Sequence, residues 1–84
     1  MKVKVGKISH YFSKVGVAVV ELEGNLKVGD KISIENAAGD VIVEQTVDSM
    51  QVERAPVKAA KAGDSIGLKV SEKVHENNIV YKVA

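Results

Sequence analysis

Polar and apolar residues alternate through Lys2-Val3-Lys4-Val5, and the alternation resumes one position out of phase at Ile8, His10 and Phe12. A one-residue slip sends every following side chain to the other face of a sheet, so Gly6 predicts a bulge or bend inside the first strand. Val15 to Leu22 predicts a second strand, rich in valine, with Val20 and Leu22 inward and Glu21 and Glu23 outward. Two glycines, Gly24 and Gly29, frame a short excursion before Ile32 and Ile34 alternate with Lys31, Ser33 and Glu35 as a third strand. Asn36-Ala37-Ala38-Gly39-Asp40 has the composition of a hairpin loop, with Gly39 at positive φ.

The segment from Val41 to Arg54 changes parity: Val41 and Val43 lie on one face, Met50 and Val52 on the other, which predicts a bend between Glu44 and Ser49. Pro56 removes a backbone donor and is expected to end the pairing, and Ala55 to Ala62 is expected as a connection holding at most one helical turn. Ile66, Leu68 and Val70 mark a further strand, and Ile79, Tyr81 and Val83 the last. Six or seven short strands with no amphipathic helix predict an all-β fold, a small closed Greek-key β-barrel, with a split-sheet sandwich as the alternative. Closure is expected because an open sheet of this size exposes edge strands.

Eighty-four residues leave room for one domain, spanning 1–84, with Val20, Leu22, Ile32, Ile34, Ile66, Leu68 and Val70 in the core. Cysteine is absent, so neither a disulfide nor a thiolate metal site supplements that core. Twelve basic against eleven acidic side chains give a net charge of +1, too little for a global field toward nucleic acid or membrane. The alternating start is not an apolar signal segment, and the apolar run Val15–Val20 is short of the approximately 20 residues that cross a bilayer. Cytoplasm is the expected location.

Catalytic signatures are weak. Gly24-Asn25-Leu26-Lys27-Val28-Gly29-Asp30 spaces its glycines like a phosphate loop but puts an acid where a lysine must meet the phosphates, so no nucleotide is expected. His10 and His75 lack partners at metal-ligand spacing, and Glu21 and Glu23 are explained by an exposed strand face. No catalytic, cofactor-binding or metal-binding residue is assigned. Tyr11, Phe12 and Tyr81 are too few for a stacking platform and are expected to pack in the core or at its rim. Lys2, Lys4, Lys58 and Lys61 form the one candidate binding set, a basic edge where the first strand meets the Ala-rich connection.

Three blocks, Glu23 to Ile32, Asp48-Ser49-Met50-Gln51-Val52 and Ala62-Gly63-Asp64-Ser65-Ile66-Gly67-Leu68, together resemble the β-barrel second domain of translational GTPases of the elongation factor Tu and initiation factor 2 type. The closing run Glu72 to Tyr81 is similar as well, with Asn77-Asn78 where Gly-Asp is common. The chain departs from those factors in having no GTPase domain, and in Ser13-Lys14 where they often carry Arg-Gly. The resemblance implies a non-catalytic, translation-factor-like binding module for RNA, tRNA, the ribosome or a translation-related protein. The alternative is a protein-interaction or accessory barrel without an RNA role, since similar barrels also resemble appendages at the C-terminal end of larger enzymes, including U32 peptidases.

Overall fold

The computed structural model describes residues 2–53 and 55–83; Arg54, the end of the predicted fourth segment, lies outside them. These residues form ten strands and no helix: β1 (Lys2–Phe12), β2 (Val17–Leu22), β3 (Leu26–Lys27), β4 (Lys31–Glu35), β5 (Val41–Thr46), β6 (Met50–Val52), β7 (Ala55–Val57), β8 (Ala59–Ala60), β9 (Ser65–Lys69) and β10 (Ile79–Val83). Eight pair in the order β5-β4-β10-β1-β2-β9-β6-β7, and β3 pairs with β8 in a separate two-stranded piece.

The predicted slip at Gly6 is present as a register shift between Lys4 and Gly6 against β10. Only glycine fits there, because an added Cβ would stand 2.5 Å from the carbonyl oxygen of Glu21. A second shift, between Ile8 and His10 against β2, turns the strand again. Ile8 and Tyr11 therefore pack on the core, while Phe12 remains 49% exposed. The expectation that Phe12 packs in the core or at its rim is corrected by this second bulge, which no glycine announces.

The seven core residues named from parity are all buried, around a single cluster that also takes in Val5, Leu26, Val47, Met50, Val74 and Val80. Fully burying each large aliphatic side chain contributes about 1.5–3 kcal/mol. In β10 the inward residue is Val80, at 0% exposure, and Ile79, Tyr81 and Val83 lie half-buried on the other face. The inward parity also carries Lys82, so alternation alone favoured the other face.

The expected closed barrel of six or seven strands is corrected in two respects. The Ala-rich connection forms β7 and β8 instead of a helical turn, and Pro56 pairs opposite Gln51 instead of ending the ladder. The ladder is also open, running from β5 at one edge to β7 at the other with no backbone pairing between them among the described residues. A proline strand has a missing donor and suits an edge. The sheet nevertheless curls, because Gln45 on β5 reaches β9, five places along the order: its amide nitrogen donates to the carbonyl of Lys69 at 2.8 Å. The amide oxygen of Gln45 accepts from the Ser71 N–H at 2.8 Å and from its hydroxyl at 3.1 Å.

Candidate functional site

The four lysines singled out in the sequence have different surroundings. The Lys2 ammonium is bonded to Glu35 and lies 4.9 Å from the centre of the Tyr81 ring. Glu35 is a buried carboxylate, 4% exposed, that also accepts from the Ser33 hydroxyl at 3.2 Å. Burying a charge is costly unless it is paired and hydrogen-bonded, so Lys2 is engaged in the fold. Lys4 pairs with Glu23 at 3.2 Å. Lys58 is exposed between β7 and β8, its carbonyl accepting from Val28 N–H at 2.9 Å.

Lys61 has different company. Two turns of the same design, Lys27-Val28-Gly29-Asp30 and Lys61-Ala62-Gly63-Asp64, follow the paired strands β3 and β8. In the first, the Lys27 N–H donates to Asp30 Oδ2 at 3.0 Å and the Asp30 N–H to the Lys27 carbonyl at 3.1 Å. In the second, the Lys61 N–H donates to Asp64 Oδ2 at 3.0 Å and the Asp64 N–H to the Lys61 carbonyl at 3.0 Å. Both turns need positive φ at the third residue, 98° at Gly29 and 94° at Gly63, which glycine adopts without penalty. Each aspartate thus bonds the backbone of its own turn.

Between the two turns lies a cleft of about 630 Å3. Its rim carries Lys27, Lys61 and Lys82 beside Asp30 and Asp64, with Leu26 and Ala60 among its apolar lining. Sequence reading reached Lys61 but missed Lys27 and Lys82, because convergence depends on the β3–β8 pairing and on β10 lying two strands from β2. The recurring Lys-x-Gly-Asp was the available signal.

At the opposite end, His10 Nδ1 stands 3.3 Å from Glu76 Oε2, and the imidazole meets the Phe12 ring edge-on at 4.4 Å. His75 is exposed, and its backbone N–H donates to Asn78 Oδ1 at 2.8 Å. Asn77 takes the left-handed conformation, φ 72°, which asparagine tolerates better than most residues. Glu21 and Glu23 are exposed. Among the described residues, no three His, Asp or Glu side chains are gathered in a way that would hold a metal ion. No helix is long and apolar enough to cross a membrane.

No family model matches the chain. An uncharacterized protease of Methanocaldococcus jannaschii is 38% identical over 80 residues, covering 95% of this chain and 19% of that protein. A collagenase of Porphyromonas gingivalis is 39% identical over 82 residues, covering 96% of this chain and 20% of that protein. The chain thus spans about a fifth of the length of the curated relatives it matches. The C-terminal domain of a putative U32 peptidase of Geobacillus thermoleovorans superposes with a TM-score of 0.87 at 18% identity, covering 96% of this chain and 92% of that one. The two share a fold. A bacterial selenocysteine-specific elongation factor aligns with a TM-score of 0.65 at 27% identity, covering 96% of this chain and 14% of that one.

The likeness to a translation-factor barrel is therefore real but the more distant of these two structural matches. The expected role as a translation-factor-like module for RNA, tRNA or the ribosome is corrected by the relatives, which are named protease and collagenase and match along nearly the whole chain. The turn blocks behind that resemblance, Gly29-Asp30 and Gly63-Asp64, serve β-turn geometry in this fold.

Proposed function

We propose that this chain is a non-catalytic accessory module of a U32-type peptidase, acting through protein contacts while the hydrolytic groups reside in a separate, larger portion. The observation that carries this reading is the 38–39% identity along 95–96% of the chain to one fifth of two proteins named protease and collagenase. The shared fold with a U32 peptidase C-terminal domain supports it. A module of this size contributes by positioning a polypeptide or by holding the larger portion in a working arrangement.

The test is hydrolysis by a U32-type peptidase from the same organism, prepared without this module and assayed with the chain added back. The expected result is a lower KM for a long polypeptide substrate, no change for a tripeptide reporter, and no hydrolysis by the chain alone. Hydrolysis by the chain alone would overturn the non-catalytic reading. An unchanged KM at chain concentrations up to the millimolar range would overturn the accessory one.

A further inference from the structure

We infer that the cleft between the twin turns binds an acidic stretch of polypeptide, an assignment that rests on the accessory reading and names the chemistry of its contact. Three lysines, Lys27, Lys61 and Lys82, are among the residues that line it. The ion pairs among the described residues use Lys2, Lys4 and His10, so among those residues none of the three cleft lysines is within ion-pair distance of a carboxylate. Lys82 is held in place by donating to the carbonyl of Asn25 at 3.2 Å, a neutral partner that leaves its charge free.

The two carboxylates of the cleft explain why a peptide fits better than a nucleic acid. Asp30 and Asp64 each accept a turn N–H at Oδ2, which fixes the side chain and leaves Oδ1 without a protein donor among the described residues. The cleft therefore offers both cations and oriented acceptors. An acidic peptide matches both, with side-chain carboxylates for the lysines and main-chain N–H groups for the Oδ1 atoms. A phosphodiester strand brings acceptors almost exclusively along its backbone and offers no main-chain donor to either Oδ1. The cleft lining also lacks aromatic residues on which bases would stack, and Leu26 and Ala60 suit aliphatic carbon. The volume lies within the range of ordinary ligand clefts, roughly 300–1,000 Å3.

The test is fluorescence anisotropy on the whole chain with three labelled probes: an octapeptide alternating Glu and Ala, its Gln counterpart, and an eight-nucleotide oligouridylate. The Glu peptide is expected to bind at least 10-fold more tightly than the other two, with affinity falling as salt rises. Combining Lys27→Ala, Lys61→Ala and Lys82→Ala should weaken it at least 5-fold, whereas Lys58→Ala, outside the cleft, should leave it unchanged. Thermal unfolding of both variants confirms that the fold persists. Equal binding of the Gln peptide, tighter binding of the oligonucleotide, or an unaltered triple variant would each overturn the assignment. If the Glu peptide fails while the chain still lowers the peptidase KM, the cleft is misassigned and the accessory reading stands. If the peptide binds as expected while KM is unmoved, the accessory reading is the one that falls.

Discussion

Gln45 on the edge strand β5 and Lys69 on β9 are joined by a side-chain bond of 2.8 Å between two strands that no backbone ladder connects. The same amide takes the N–H and hydroxyl of Ser71, so one side chain substitutes for the pairing that β5 does not make. A gap of about 260 Å3, lined by Gln45, Thr46, Lys69 and Ser71 among others, marks the seam. Replacing Gln45 with Ala should lower stability by about 1–2 kcal/mol, since each net hydrogen bond contributes roughly 0.5–1.5 kcal/mol and this site is partly solvated. Faster hydrogen exchange at the Ser71 amide is the specific readout, and unchanged exchange there would mean that the seam is held by something else.

Parity along β9 gives a paired comparison. Leu68 is fully buried and Lys69 is exposed. Leu68→Ala should cost about 2–5 kcal/mol in denaturant unfolding, and Lys69→Ala less than about 0.5 kcal/mol. Similar costs at both positions would contradict the register of β9 against β2 and β6.

Glu35 makes a different demand, because its carboxylate is buried and Lys2 is its charged partner. Truncating Lys2 to Ala strands the carboxylate with only the Ser33 hydroxyl, and should destabilise by about 1–2 kcal/mol, below the 3–5 kcal/mol of a fully buried pair because Lys2 is half exposed. The double variant Lys2→Ala/Glu35→Gln should recover part of the loss. A double-mutant cycle showing additive effects would mean that the two side chains are energetically independent.

The approach of Gly6 to the backbone at Glu21 predicts a large difference between two glycines. Gly6→Ala places a Cβ against the Glu21 carbonyl and should cost about 1–3 kcal/mol through a forced shift of β1 or β2. At Gly24 the nearest atom to an added Cβ is a Val5 methyl at 3.6 Å, an ordinary contact, so Gly24→Ala should be nearly neutral. Thermal melts of the two variants that coincide would contradict the bulge.

The strands and most of the core were legible because alternation and turn residues report burial directly, as at Ile66-Gly67-Leu68. What escaped had no local signal. The bulge near Ser9 lacks a glycine, and the β6–β7 turn places Glu53 at φ 52°, a conformation its residue type does not advertise. The partners of the lysines were illegible for a related reason. Lys2 and Lys4 look free in the sequence, and only the fold brings Glu35 and Glu23 to them; Lys82, in the last strand, comes to Lys27 and Lys61 through pairings that join distant parts of the chain.

Whether the chain is a protein-contact module of a peptidase is tested most directly by isothermal titration into a U32-type peptidase of the same organism lacking this module, with total RNA from that organism as the parallel titrant. The expected result is saturable one-to-one binding to the peptidase, weakened at least 5-fold by Lys61→Glu combined with Lys82→Glu, and no heat with RNA. Saturable binding to RNA with none to the peptidase would contradict it.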